Sequence, residues 1–137
     1  MVRREVIERR LKKLDEYFEI LQNLQKYSRN EFLSNPERYG SAERFLQLSI
    51  ETTIDVGNHL VADMSLGEVQ WSSDIPSILA KKGYLSVPLR ETWIRMIGFR
   101  NLLVHDYLEI DRETVYEILQ NNLDDLEALK KIFAGFL

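Results

Sequence analysis

"VIERRLKKLDEYFEILQNL", residues 6–24, decides the fold class. Ile7, Leu11, Leu14, Phe18, Leu21 and Leu24 recur at steps of three and four, the spacing of one apolar helix face over about seven turns. Arg3, Arg4, Arg9, Arg10, Lys12 and Lys13 interleave with acids around that face, the pattern of a solvated helix surface.

The same periodicity continues outward. "SNPERYGSAER" (34–44) breaks it, with Asn35 placed as a cap and Pro36 at the first helical position. A second long helix follows through Leu46, Ile50, Ile54, Gly57, Val61 and Met64. "SLGEVQWSSD" (65–74) reads as a loop, and Ser73 is expected to cap a short helix carrying Ile75, Ile78 and Leu79, ended by Gly83. A fourth helix opens near Pro88 and buries Leu89, Trp93 and Met96. "HDYLEID" (105–111) interrupts it, and Asp111 caps a last helix with Val115, Leu119, Leu126, Leu129 and Phe133. No strand alternation or repeat is present. Short connections between long helices predict an all-α, antiparallel four- to five-helix bundle, one domain over residues 1–137.

Composition narrows the function classes. Hydrophobic residues make up 45% and charged residues 29%, too apolar for disorder. No cysteine is present, which excludes a disulfide framework and thiolate chemistry. The charged N-terminus lacks a signal-peptide core, and no stretch approaches the ~18 apolar residues of a membrane span. The expectation is a soluble, cytoplasmic protein with no membrane partner. A net charge of −4 argues against indiscriminate binding to phosphate backbones, although a local basic cleft remains compatible with it.

Two polar groups stand out against the apolar periodicity. Glu51, Asp55, Asn58 and His59 fall near one face of the second helix. A di-iron bundle would need a Glu-x-x-His pair on two helices, and the chain has none. The expectation is therefore no metal, with a solvated or interface-facing stripe and His59 as a hydrogen-bonded structural residue. The second group is "RNLLVHDY", residues 100–107. Leu89, Trp93, Met96 and Arg100 step along one helix face, so Arg100 continues an apolar stripe, where a guanidinium needs a partner or a cleft. His105 lies about 140° further round an ideal helix. A continuous helix points the two side chains apart. An ending near Val104 would let the imidazole turn back over Arg100.

Residue types alone leave two readings open. In one, Arg100 and His105 neutralise helix-end carbonyls and pair with Asp106. In the other they form a site: histidine moves a proton near neutral pH, and arginine forks onto phosphate oxygens and stabilises charge on phosphorus. That pair suits metal-independent RNA cleavage in which the substrate's own 2′-hydroxyl attacks.

"RNLLVHDY" resembles the R-x4-H-x-Y signature of the HEPN superfamily, in particular the HepT-like toxins of prokaryotic HEPN/MNT (HepT/MntA, type VII) toxin–antitoxin pairs. "RFLQLSIETTIDVGNHLVAD" and "GYLSVPLRETWIRMIGFRNLLVHDYLEID" are similar to that family's second helix and to its stretch through the motif into the final helix. The resemblance implies a dimerising bundle with two motifs facing one cleft. It implies an endoribonuclease toxin with Arg100 and His105 as catalytic residues, supported by Asn101 and Asp106, and needing no cofactor for cleavage. It also implies a minimal nucleotidyltransferase (MntA-like) antitoxin that uses ATP and Mg²⁺ to attach AMP to the motif tyrosine, Tyr107, whose phenol is expected to be exposed. The dimer contact is expected on the second and fourth helices, where the polar stripe lies beside Gly57. The competing readings are a non-catalytic HEPN nucleotide- or protein-binding module that docks a nucleotidyltransferase, and a purely structural bundle.

Overall fold

In the computed structural model, residues 2–106, 108 and 110–137 are described, and among them the secondary structure is entirely helical. The helices are α1 (Arg4–Gln25), α2 (Arg29–Leu33), α3 (Pro36–Asp63), α4 (Asp74–Lys81), α5 (Val87–His105), α6 (Arg112–Asn121) and α7 (Leu123–Ala134). The all-α reading holds, and helix α3 is its axis, touching each of the other six.

Cross-helix bonds fix the directions. Along α1 and α3, Arg3 meets Asp63, Arg10 meets Asp55 and Tyr17 packs on Phe45, so one number rises as the other falls: the pair is antiparallel. The α1–α7 pair runs likewise, from Asp15–Lys130 to Gln22–Glu127. The α1 face predicted from the sequence is the buried one, with Ile7, Leu11, Leu14, Phe18 and Leu21 all inside. Fully burying one such side chain contributes about 1.5–3 kcal/mol, so this stripe alone explains why α1 docks.

Local chemistry sets the ends. The Asn35 side chain accepts from the backbone N–H groups of Glu37 and Arg38, with Pro36 opening α3 as expected. Asp111 caps α6 through Glu113 N–H at 3.0 Å. Helix α4 ends as read: Gly83 takes φ +85, and the N–H groups of Gly83 and Tyr84 return to the carbonyls of Ala80 and Leu79.

Three details differ from the sequence reading. Ser73 does not cap α4, because its own φ −67 and ψ −12 are already helical and its side chain makes no capping bond. Asp74 instead reaches back, its Oδ2 accepting from Gln70 and Trp71 N–H at 3.1 and 2.9 Å. The segment before the break at 34–44, to which the sequence reading assigned no element, contains the short helix α2. The last helix is two, parted at Asn122, where φ −113 and ψ 0 leave the helical region.

The interior that positions α5 is built on α3. Trp93 is fully buried, and its indole Nε1 donates to Thr53 Oγ1 at 3.0 Å, while the Thr53 hydroxyl donates to the Ile50 carbonyl at 2.6 Å. Gly57 lies beneath the ring: a Cβ there would stand 2.5 Å from Ile75 Cγ2 and 3.2 Å from Trp93. Gly57 therefore serves packing inside the chain. The expected role for Gly57 in a contact between copies is corrected by that geometry, since the space beside it is already filled.

Candidate active site

Helix α5 carries the site because its buried N-terminal half fixes the direction of its C-terminal half. Ser86 caps it through Leu89 N–H, and Trp93, Met96, Ile97, Phe99 and Leu103 are buried. Arg100 emerges at the border of this apolar surface. Its side chain is only 19% exposed, and Nη1 lies 4.0 Å from Glu51 Oε1 on α3. Its Nε is buried and has no hydrogen-bond partner among the described residues. A buried donor left unpaired costs about 1–3 kcal/mol, more when charged, so an acceptor that reached this Nε would relieve that cost.

Arg100 opens onto a pocket of about 280 Å³ lined also by Glu51, Ile54, Asp55, Asn58 and Ser72. The acidic stripe read from the sequence is thus one wall of the arginine's pocket. Its charges are not equivalent. Asp55 is bound by Arg10 of α1 and stands 3.6 Å from His59 Nε2. Glu51 accepts from Gln47 at 3.1 Å, and its cation is Arg100. A phosphate arriving at Arg100 therefore competes with Glu51 and far less with Asp55. His59 is the hydrogen-bonded residue expected: Arg3 Nη2 lies 2.8 Å from its Nδ1, and the same arginine pairs with Asp63. The Arg3 guanidinium holds the Asp63 carboxyl below its usual range through that hydrogen bond.

His105 occupies the last turn of α5, one residue beyond the ending considered from the sequence. The helix is continuous through it, so the imidazole does not fold back over Arg100. It lines a second pocket of about 420 Å³ with Trp71, Ser72, Ser73 and Asn101. Ser72 belongs to both pockets, so the arginine and the histidine face neighbouring compartments of one surface.

The remaining site residues divide. Asn101 is in the histidine's pocket. Asp106 follows the helix as its C-cap, its N–H returning to the Leu102 carbonyl at 2.9 Å. It forms no ion pair with Arg100 or His105 among the described residues, which removes the pairing required by the purely structural reading. Tyr107 lies outside the described residues. Sequence reasoning missed Trp71, Ser72 and Ser73, which the α3–α4 loop brings into the pocket of His105.

Residues 7–132 match the Ribonuclease HepT-like family. The chain belongs to that family. The resemblance read at residues 100–107 is thereby borne out at the family level. Over 82 residues the HepT-like chain is 37% identical to the mRNA nuclease HepT of Shewanella oneidensis, covering 60% of this chain and 62% of that protein. Over 111 residues it is 30% identical to the tRNA nuclease HepT of Aphanizomenon flos-aquae, covering 81% of this chain and 76% of that one. Its fold superposes with a TM-score of 0.86 on the tri-AMPylated Shewanella oneidensis HEPN toxin in complex with MNT antitoxin, at 27% identity over 95% of this chain and 97% of that chain. No helix among the described residues of this HepT-like chain is long and apolar enough to cross a membrane.

Proposed function

We propose that this chain is an endoribonuclease toxin whose Arg100 and His105 cleave RNA without a metal, and which a nucleotidyltransferase antitoxin silences by AMPylating Tyr107. The observation that carries the reading is the mostly buried Arg100 with its unpartnered Nε, opening beside the pocket of His105. The relatives named as mRNA and tRNA nucleases, and the AMPylated toxin in complex with an antitoxin, support the same reading.

The chemistry uses these groups directly. The 2′-oxygen of RNA attacks the adjacent phosphorus and the bond to the 5′-oxygen breaks, leaving a 2′,3′-cyclic phosphate and a 5′-hydroxyl. One proton leaves the 2′-hydroxyl and one reaches the 5′-oxygen. His105 transfers protons, and Arg100 stabilises the charge gathering on the phosphoryl oxygens. Asn101, in the same pocket as the imidazole, orients it. Asp106 supports the helix end that presents it.

Silencing follows from electrostatics. An AMP phosphodiester on Tyr107, two residues beyond His105, would place negative charge where Arg100 must receive RNA. The partner would draw the AMP from ATP with Mg²⁺. Two copies facing each other across α3 and α5 would bring both motifs to one cleft, and exposed Leu102 and Val104 offer apolar surface for that contact.

The test is total RNA incubated with the purified protein in chelator, beside the His105→Ala form. Cleavage with 5′-hydroxyl ends, lost in the variant, supports the reading. Intact RNA in both arms sinks it in favour of a binding module. A Tyr107→Phe form should remain active yet gain no AMP mass from its cognate antitoxin, and light scattering at tens of micromolar should report a dimer.

A further inference from the structure

Trp71 is 72% exposed, although the indole is the largest apolar surface a side chain can offer. The backbone beneath it is not loose. Its N–H is held by Asp74 Oδ2 at 2.9 Å and its carbonyl accepts from Asp74 N–H at 2.9 Å, with Ile75 N–H returning to Ser72 at 3.2 Å. A hydrogen-bonded turn therefore presents the ring from a fixed base, beside His105. The other residues lining the pocket the two share, Ser72, Ser73 and Asn101, are all polar.

We infer that Trp71 is the stacking platform for an unpaired nucleobase next to the scissile phosphate, which makes single-stranded RNA the substrate class. The inference rests on the ribonuclease reading above for what happens at His105, but the stacking itself is a binding event and is testable without cleavage. A flat aromatic face accepts any base, whereas the Ser72, Ser73 and Asn101 groups can hydrogen-bond a base's Watson–Crick edge only when the base is unpaired. A base in a duplex offers neither its face nor that edge. Trp71 thus contributes binding and positioning; Arg100 and His105 contribute the chemistry.

The chain's two tryptophans make the test clean, because Trp93 is sealed in the core against Thr53. A 2′-O-methyl oligouridylate is single-stranded and lacks the attacking hydroxyl. It should quench the exposed Trp71 emission in the wild type and leave the Trp93 emission of Trp71→Phe unchanged. Anisotropy of a labelled oligouridylate should show Trp71→Ala binding about 5- to 150-fold more weakly, with Trp71→Phe in between. On a single-stranded RNA site mapped from total RNA, Trp71→Ala should raise KM by a similar factor with kcat nearly constant, since stacking stabilises ground and transition states alike. Quenching without any cleavage would leave the platform standing and remove the nuclease reading. Normal cleavage with unaltered binding in Trp71→Ala would overturn the platform alone. So would equal quenching by a duplex, or a Trp71→Ala protein that loses self-association while wild-type emission ignores RNA, since the ring would then belong to a protein interface.

Discussion

The two halves of helix α5 have the same backbone and opposite chemistry. In the first half Trp93 is sealed: its one polar atom donates to Thr53, Thr53 donates in turn to a carbonyl, and Phe133 packs edge-on at 5.7 Å. In the second half Arg100 sits at the border of the same apolar surface with an unpaired Nε and a carboxylate 4.0 Å away. A fold that satisfies an indole so completely leaves a guanidinium unsatisfied only seven residues later. Where packing rules are obeyed the helix gains stability; where they are broken, the proposed function places the RNA phosphate.

The largest expected effect breaks the second half. His105→Ala and Arg100→Ala should each lower RNA cleavage by about 10²–10⁴. Neither should lower stability by more than ~2 kcal/mol, because the histidine only tops a helix end and the arginine leaves behind only Glu51, which is partly exposed and still bonded to Gln47. Single-turnover assays beside urea melts measure both. Wild-type cleavage in either variant would mean that the unsatisfied half of α5 has no chemistry to explain.

Next comes the sealed half. Trp93→Ala removes a fully buried ring and should destabilise the protein by about 3–5 kcal/mol. Cleavage per folded molecule, measured at low temperature, should fall less than in His105→Ala. Should that variant fail to fold, Trp93→Phe keeps most of the volume while leaving Thr53 bonded to Ile50, and should show the same ordering with a smaller loss. A catalytic defect larger than the stability defect would erase the division between the halves.

How much of this was legible depended on whether a signal was local. The apolar stripes of α1 and α3 and the caps at Asn35 and Asp111 lie within a few turns of sequence, and the structure places them as read; the turn expected near Val104 does not form, because α5 runs on through His105. The break at Asn122 was hidden because Leu119, Leu123 and Leu126 keep their register across it and stay buried on both sides. The Asp74 bonds that replace a Ser73 cap depend on a loop conformation that no periodicity reports. Trp71 was invisible as a site residue for the same reason: some thirty residues separate it from His105, and only the packing of α4 and α5 against α3 closes that gap. Helix α2, by contrast, had a signal that went unread. Ser28 and Glu31 have the spacing of a capping box in "SRNE".

That box carries the smallest prediction, and it sharpens the comparison by lying away from α5. Helix α2 packs on α3 and α6, with Phe32 against Tyr116 at 5.5 Å. The Ser28 hydroxyl accepts from Glu31 N–H at 3.2 Å, and Glu31 Oε1 accepts from Ser28 N–H at 2.9 Å. The Ser28 backbone N–H holds the Glu31 carboxyl below its ordinary range, with the hydroxyl adding to it and Arg38 contributing least. A carboxyl whose folded pKa is depressed contributes stability that is present above its unfolded pKa and is lost as pH falls through the folded one. The wild-type urea midpoint should therefore drop further between pH 6 and pH 3 than that of Glu31→Gln. The glutamine keeps an oxygen to accept from Ser28 but has no proton to gain, so every other carboxylate cancels in the difference. Cleavage per folded molecule at neutral pH should be the same in both proteins, because α2 braces α6 and not the arginine. Parallel midpoints would show that the box is too frayed to hold the charge. A slower nuclease would show that the packed part of the molecule reaches the site by a route other than α5.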